Sequence, residues 1–460
     1  MRALSLLFAL TLVGCGSKGG TFFGDDSGGD PDAGDQDGGE WIPDLGDAEQ
    51  EAAPPCVNLK CQQVQCGGGS TTVSGTVFDP AGKNPLYNVV VYVPNTPLDP
   101  ISHGIVCDSC GGAPISGSPV VTTLTDTKGH FTLKDVPVGT NIPLVIQVGK
   151  WRRKITIPNV PQCTDTPLTA AQTRLPKNKM EGDMPLIALT GGCDPIHTLL
   201  QKIGIDPNEF TNGAGTGMVH VYAGQGNQNG GVASATSAYT FWGSLAEMKK
   251  HDIIINECEC SPYPRDTMGP AYTNMRQYLD GGGRVFNSHY HLNFFGSSSE
   301  NGGKADMELQ QAATWTLWGG SGSGTAPWLI DTSFPKGKAM DDWLMNLPTV
   351  PNGWGPTIKT TPKGQIQTFA VGDIGPAKPN ISQRWIYPTA GNSIAYLSFN
   401  LPTNVQPDKR CGRAVGTDMH VGNGSLTSMS EQEAALEFMF FDLASCVIDD
   451  AQPPAPPPPK

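Results

Sequence analysis

The chain has 460 residues, 12 cysteines and a formal net charge of -13 at pH 7. This length suits two or three domains. The sequence lacks the basic stripe of a nucleic-acid-binding protein, and after its first residues it has no apolar run long enough to cross a membrane.

The first fifteen residues are typical of a bacterial lipoprotein signal. Arg2 precedes an apolar stretch at residues 3–13, and small residues lead to Cys15. This stretch is too short for a stable membrane-spanning helix, so we expect cleavage before Cys15 and lipid attachment to it, with an uncleaved buried helix as the alternative. The protein is therefore predicted to be lipid-anchored in the bacterial cell envelope, facing the periplasm or the exterior.

Two low-complexity segments flank the predicted folded part. Residues 16–55 are rich in Gly and Asp, and from Thr21 onward they hold eleven acidic residues and no Lys or Arg. Such a segment has too few apolar side chains to offset its ordering entropy, which predicts a disordered acidic linker. Residues 450–460 are rich in proline and predict a disordered tail of polyproline type.

The cysteines indicate an oxidising compartment. With Cys15 assigned to lipid, eleven remain, so at least one is unpaired or bonded outside the chain. An early group could bind zinc, but disulfides are favoured outside the cytoplasm. The group consists of Cys56, Cys61, Cys66, Cys107 and Cys110.

Residues 56–165 predict an antiparallel β-sandwich. Turn tetrads at 79–82 and 126–129 separate β-rich runs, and no helical period occurs. The segments 74–80, 125–133 and 136–139 resemble the carboxypeptidase regulatory-like domain. That resemblance implies a seven-stranded, prealbumin-like sandwich that serves as a non-catalytic module.

Residues 216–449 predict a three-layer α/β domain with a mainly parallel sheet, because strands and helices alternate along the chain. A connecting segment, 166–215, precedes it and contains a short helix that Asp194 is expected to cap. The predicted strands are Met218–Tyr222, Asp252–Ile255, Val285–Phe286, Ile394–Phe399 and Arg413–Thr417. The predicted helices are Tyr239–Lys250, Tyr272–Leu279, Asp306–Leu317, Met340–Leu347 and Glu431–Ser445.

The end of this domain allows two sharper expectations. Ser430 and Glu433 form a capping box for the last helix. If that helix returns antiparallel to the strand at 413–417, its length brings Cys446 close to Cys411, and we predict a disulfide between them.

Polar side chains follow three of the predicted strands. Glu257 comes after one, His289 and His291 after the next, and Asp418 with His420 after a third. In open α/β sheets, ligands bind outside the carboxyl ends of the strands. These five residues are therefore the candidate ligand-binding set.

Three chemistries remain open for this set. His289, His291, His420 and Glu257 would suffice to bind zinc. A hydrolase would need a nucleophile held near a base. Ser288, which is adjacent to His289, is the candidate nucleophile, and His289 and His420 are the other candidate catalytic residues. The interpretation favoured at this point is a binding pocket without turnover, cofactor or metal.

A second resemblance concerns the same segments. Residues 278–289 and 412–420 resemble the class I glutamine amidotransferase-like fold, in particular its ThuA-like branch. The resemblance implies that His289 occupies the position of the nucleophile elbow and that His420 is the later histidine. The Gly-x-Cys-x-Gly elbow is missing and Gly422 stands where His-x-Glu would end, so the resemblance does not extend to glutamine hydrolysis.

The function expected from the sequence is thus a membrane-anchored lipoprotein that binds a partner without catalysis. The candidate ligand is a carbohydrate or cell-wall glycan, and nucleic acid is not expected. The alternative is a histidine-based hydrolase or sugar-modifying enzyme that uses zinc. The oligomeric state stays open.

Overall fold

The computed structural model describes residues 56–107, 115–225, 230–259, 268–297, 305–317, 327–420 and 425–459. The predicted signal, the lipid site at Cys15 and the acidic linker lie outside these residues. Cys56–Lys460 forms one compact unit. No helix in the described ranges has the length and apolar character needed to cross a membrane.

The N-terminal part of this unit contains seven strands in two sheets. One sheet has the order β4-β1-β7 and the other β3-β2-β5-β6. Pairing is antiparallel except between β1 and β7, which run parallel. The strands are β1 (Thr72–Thr76), β2 (Val90–Pro94), β3 (Pro119–Leu124), β4 (His130–Leu133), β5 (Gly139–Val148), β6 (Trp151–Val160) and β7 (Asp165–Pro167).

Disulfides fasten the edges of this part. Cys56 pairs with Cys61, and Cys66 pairs with Cys163. The preference for disulfides over zinc is confirmed for Cys56, Cys61 and Cys66, which belong to the group considered for zinc. Cys110 lies outside the described residues.

The C-terminal part is built on a mixed sheet of ten strands in the order β15-β14-β17-β18-β19-β12-β11-β8-β10-β9. The six strands from β19 to β9 are parallel, and the other four join them antiparallel. The prediction of a mainly parallel sheet therefore holds for only one side. The strands are β8 (Ile187–Thr190), β9 (Phe210–Asn212), β10 (Val219–Tyr222), β11 (Ile253–Asn256), β12 (Arg284–Ser288), β14 (Pro327–Ile330), β15 (Gln365–Gln367), β17 (Ser382–Tyr387), β18 (Tyr396–Leu401) and β19 (Gly412–Thr417), while β13 (Ala313–Trp315) pairs with β16 (Ile374–Ala377) outside this sheet.

Eight α-helices accompany these sheets in the described ranges. They are α1 (Ala170–Thr173), α2 (Ile196–Lys202), α3 (Ala238–Trp242), α4 (Leu245–Met248), α5 (Ala271–Asp280), α6 (Met307–Gln310), α7 (Pro335–Asn346) and α8 (Glu431–Ala444). The predicted capping box of α8 is confirmed, because the Glu433 N–H donates to Ser430 Oγ and the Ser430 N–H donates to the Glu433 carboxylate.

Several predicted elements differ from the observed ones. The central strand β8 lies in 166–215, which was expected only to connect the two parts. The helix expected at Asp306–Leu317 is wrong, since α6 ends at Gln310 and β13 follows. The helix expected at Tyr239–Lys250 is divided into α3 and α4, because Ser244 begins a new helix by accepting the Glu247 N–H.

The predicted disulfide between Cys411 and Cys446 is also wrong. Cys411 pairs with Cys107 from the N-terminal part, across 304 residues of sequence. The residue before β19 and the residue after α8 do lie close together, because the Arg284 guanidinium donates to the carbonyl oxygens of both Cys411 and Ser445. The approach of the end of α8 to Cys411 was predicted correctly. The cysteine that bonds to Cys411 belongs to a loop whose path the sequence pattern does not reveal.

The two parts share one hydrophobic core. Trp151 of β6 packs edge-on against Phe440 of α8, with ring centroids 5.7 Å apart. Tyr87 stacks on Phe438 at 5.8 Å. The N-terminal part therefore covers one face of α8, and the carboxyl ends of the parallel strands stay clear of this contact.

Candidate functional site

Four neighbouring parallel strands bring polar residues to one edge of the large sheet. The order β19-β12-β11-β8 places β12 between β19 and β11. The chain after β12 continues with His289, after β11 with Cys258, after β19 with His420 and after β8 with Asp194. Because parallel strands end at the same edge, residues far apart in sequence meet there.

His289 stands at a sharp turn between strand and helix. β12 ends at Ser288, and a 3-10 helix begins directly at His289 and runs to Phe294. His289 has φ 35°, a conformation that costs energy for a residue with a side chain and that is concentrated at functional sites. The turn lifts the His289 imidazole out of the sheet toward the two neighbouring strand ends.

Cys258, His289 and His420 form a cluster of potential metal ligands. One ligand atom from each lies within 4.8 Å of the others. The Cys258 Sγ is 3.1 Å from the His289 Nδ1, and the ring centroids of His289 and His420 are 4.8 Å apart. A thiol and two imidazoles are a donor set that suits zinc and related transition metals.

Each histidine of this cluster has a carboxylate near its other ring nitrogen. The His289 Nε2 is 3.4 Å from the Asp373 Oδ2, and the His420 Nδ1 is 3.6 Å from the Asp194 Oδ2. Carboxylates in this position fix the tautomer and orientation of metal-binding histidines. The other ring nitrogen of His289, Nδ1, faces the Cys258 Sγ.

Asp418 holds the loop that carries Asp373. Its Oδ2 accepts the backbone N–H groups of Gly372, Asp373 and Ile374 at 3.0, 2.6 and 3.2 Å. Burial, followed by the charge of Asp373, raises the pKa of Asp418 to about 8. Asp418 was expected to bind ligand directly, whereas it positions the Asp373 carboxylate.

Ser288 is not placed as a nucleophile. Its side chain is fully buried, and its hydroxyl donates to the Asp194 Oδ2 at 3.3 Å. Its contact is therefore with the carboxylate beside His420.

Glu257 and His291 point away from the cluster. Glu257 accepts the backbone N–H of His197 at 2.7 Å and that of Gly192 at 3.0 Å, and burial raises its pKa to about 7. His291 lies in the 3-10 helix, 3.6 Å from the Glu259 carboxylate, and burial lowers its pKa to about 3. Of the four residues considered as an alternative zinc set, the structure therefore brings His289 and His420 together with Cys258, while Glu257 and His291 are not part of that group.

Cys258 takes their place, and its environment is unusual for a thiol. It is the free cysteine within the described ranges and is 3% exposed. Burial, reinforced by the nearby carboxylates, raises the pKa of the Cys258 thiol well above its usual range, against a lowering by the Tyr290 N–H. The thiol is neutral at pH 7 unless a cation binds to it.

Two other features of the sequence, a Gly-rich loop after β10 and tryptophans of the C-terminal part, have partners within the fold. The N–H of Gln225, in the Gly-rich loop after β10, donates to the Glu259 Oε2 at 2.8 Å and is therefore engaged by an acidic group. Trp328 and Trp343 are 1% exposed and belong to the core, so they form no sugar platform.

The sequence missed Cys258, Asp194 and Asp373. The odd number of cysteines indicated that at least one is unpaired or bonded outside the chain, but not which one. Asp194 was interpreted as a helix cap, but the N-cap of α2 is Pro195 and the Asp194 carboxylate lies near Ser288 and His420. Asp373 lies in an irregular loop that has no recognisable pattern.

Comparisons with known proteins give little further information. No family model and no curated protein matches the chain. The chain is similar to an interface mutant of the type II cohesin–X-dockerin complex from Acetivibrio cellulolyticus, with TM-score 0.14 and 18% identity over 31% of this chain and 75% of that one. It is also similar to BcpA, the major pilin subunit of Bacillus cereus, with TM-score 0.14 and 13% identity over 24% of this chain and 30% of that one. Likenesses this low carry no argument about fold or function.

Proposed function

We propose that this chain is a cell-envelope protein whose C-terminal part holds a single zinc ion on Cys258, His289 and His420, in a centre that supports hydrolysis. One observation carries the proposal: three ligand atoms from three neighbouring strand ends lie within 4.8 Å of one another. The alternative considered from the sequence, a histidine-based hydrolase using zinc, is thus preferred to a pocket without chemistry.

The electrostatics of Cys258 disfavour a free thiolate. A buried neutral thiol is a weak nucleophile, and burial here disfavours its deprotonation. A bound zinc ion would stabilise the thiolate directly. The two imidazoles are then oriented by Asp373 and Asp194, as ligands of a metal require.

The number of ligands indicates the chemistry. Structural zinc sites usually have four protein ligands, whereas catalytic ones have three and keep a position for water or substrate. Cys258, His289 and His420 would hold the zinc, which would supply activation of water for hydrolysis near neutral pH. In this chain the Asp373 Oδ2 lies 3.4 Å from the His289 Nε2, the Asp194 Oδ2 lies 3.6 Å from the His420 Nδ1, and the Tyr290 N–H donates to the Cys258 Sγ.

Metal analysis of protein purified without chelator tests this proposal. We expect about one zinc per chain in the wild type, and none in His289→Ala, His420→Ala or Cys258→Ala. His130→Ala, an exposed substitution on β4, is the matched control and should keep its metal. A wild-type protein that carries no stoichiometric metal, and does not take up added zinc, would contradict the proposal.

A second function is favoured by the order Cys258, His289, Asp373. A thiol, a base within hydrogen-bond reach and a carboxylate behind that base are the parts of a cysteine nucleophile. Iodoacetamide added after chelation separates the two: alkylation of Cys258 that is rapid at pH 7 and lost in Asp373→Asn would support the nucleophile. Zinc protection of an otherwise slow thiol would support the metal centre.

The family assignments and the location belong to the same proposal. Seven strands in two sheets are consistent with a prealbumin-like regulatory domain. Parallel strands with His289 at a strained turn, φ 35°, are consistent with a ThuA-like member of the amidotransferase-like fold without its cysteine elbow. Lipid attachment at Cys15 remains a prediction, as does glycan binding at the histidine pocket.

A further inference from the structure

A separate cleft lies on the antiparallel side of the large sheet. It has a volume of about 330 Å³, and residues of β16 and β17, the turn at 391–394 and Asp331, which follows β14, line it. Its polar lining includes Asp331, Gln383, Arg384, Tyr387 and Asn392. We call it the β17 cleft. Its volume lies at the lower end of the range for small-molecule sites.

An irregularity in β17 shapes this cleft. The pairing register between β17 and β18 shifts between Arg384 and Ile386. Residues three apart on a regular strand point to opposite faces, but a bulge changes this alternation. The Arg384 Cζ therefore lies over the Tyr387 ring, 3.7 Å from its centroid, while Trp385 is buried in the core.

The positive charge of the Arg384 guanidinium is neutralised within the protein by Asp331. The Arg384 Nε and Nη2 both donate to the Asp331 Oδ2, at 2.9 and 2.7 Å. The Arg384 side chain is still 40% exposed, and the Asn392 amide is exposed beside it. The cleft thus offers flat surfaces and hydrogen-bonding groups without an uncompensated charge.

We propose that the β17 cleft binds a neutral sugar unit of a glycan. Sugar rings combine an apolar C–H face, which packs on flat side chains, with neighbouring hydroxyls, which pair with planar amide, guanidinium and carboxylate groups. An anionic ligand would meet the Asp331 carboxylate, and an apolar ligand would leave these polar groups without partners. This inference does not depend on the proposed zinc centre.

Calorimetric titration with neutral oligosaccharides tests the proposal. The probes are gluco-, manno-, galacto- and N-acetylglucosamine-configured di- and trisaccharides, each used alone. We expect at least one to bind with a Kd of roughly millimolar order. Tyr387→Ala should weaken that binding about tenfold or more and Asn392→Ala about fivefold, while Tyr387→Phe, which keeps the ring, should retain it.

Two controls separate this site from the zinc site. His289→Ala should bind the same sugar with unchanged affinity, and Tyr387→Ala should keep its zinc. Binding lost in His289→Ala but kept in Tyr387→Ala would overturn the assignment to the β17 cleft. The proposal would also fail if no neutral sugar bound the wild type, or if only sulfated or other anionic sugars did.

Discussion

At the scale of single residues, two carboxylates define what the histidines can do. Asp373 and Asp194 each face the ring nitrogen that points away from the cluster, at 3.4 and 3.6 Å. Both carboxylates are buried. Carboxylates in such positions restrict the orientation of metal-binding imidazoles, which reduces the entropy lost on binding.

The first prediction concerns Asp373. Asp373→Asn keeps the shape of the side chain but removes its charge, so we expect zinc affinity to fall about 10- to 100-fold. Competition with a chromophoric chelator measures this. Asp408→Asn, whose side chain is 69% exposed, is the matched control. Equal affinities in all three proteins would show that Asp373 does not support the ligands.

The residues of the site were predictable to different degrees. His289 and His420 could be brought together because each follows a recognisable strand and parallel strands end at one edge. Cys258 follows such a strand too, but Glu257 and Cys260 are close to it in sequence. Nothing in the pattern indicated which of the three side chains faces His289 and His420. Asp373 was beyond prediction, because an irregular loop held by Asp418 brings it to the site.

At the scale of elements, one loop of the N-terminal part contacts α8 through two buried acidic residues, Asp79 of the loop and Glu437 of α8. The Asn84 Nδ2 donates to the Glu437 Oε2 at 2.5 Å. Burial raises the pKa of Asp79 to about 7, and burial, the charge of Asp79 and a hydrogen bond to it raise the pKa of Glu437 well above its usual range. The pair therefore retains a proton at a pH where exposed carboxyls have lost theirs.

The second prediction follows from that proton. A raised folded-state pKa contributes stability that is complete below the unfolded value near 4 and is lost as pH rises through about 7. Asp79→Asn removes this dependence. The free energy of unfolding of this variant minus that of the wild type should therefore increase by on the order of 1–4 kcal/mol from pH 5 to pH 8.

Urea unfolding of both proteins across that pH range measures the difference, in which the titration of groups that do not interact with Asp79 cancels. Asp408→Asn should show a constant offset from wild type. A constant offset for Asp79→Asn as well would mean that Asp79 titrates in the folded protein as it does in the unfolded chain.

Some strands and helices could be predicted from sequence patterns, and others could not. β11, β12 and β19 were predicted because Gly-rich turns or polar residues bound their apolar runs. β8 was missed, since a short apolar run does not distinguish a buried strand from a connection. The segment at 306–317 has helical spacing, but Trp315 pairs with Ile374 across two strands, a tertiary contact that overrides local preference.

At the scale of the whole molecule, one disulfide connects distant parts of the chain. Cys107 belongs to a segment that runs along the C-terminal part, where the Gly104 N–H donates to the Asp252 Oδ1 at 2.8 Å and the Ile105 N–H to the Lys249 carbonyl oxygen at 3.1 Å. The bond to Cys411 closes a loop across 304 residues of sequence. It fixes this segment against the start of β19.

The third prediction compares this disulfide with a short-range one. Replacing Cys107 and Cys411 with serine should lower the free energy of unfolding by about 5 kcal/mol, because the unfolded chain regains the entropy of a very long loop. Replacing Cys56 and Cys61, only 5 apart in sequence, should cost about 2 kcal/mol. Chemical denaturation measures both, and equal losses would contradict the loop-entropy explanation.

Cobalt(II) titration of the metal-free protein tests the central claim most directly, because cobalt reports both the ligands and the geometry of a zinc site. We predict saturation at about one ion per chain, with a near-ultraviolet thiolate-to-cobalt band and visible bands of tetrahedral type. Cys258→Ala should lose the thiolate band, and His420→Ala should lose saturable binding. A wild-type spectrum without a thiolate band, or one unchanged in Cys258→Ala, would contradict a metal centre at Cys258, His289 and His420.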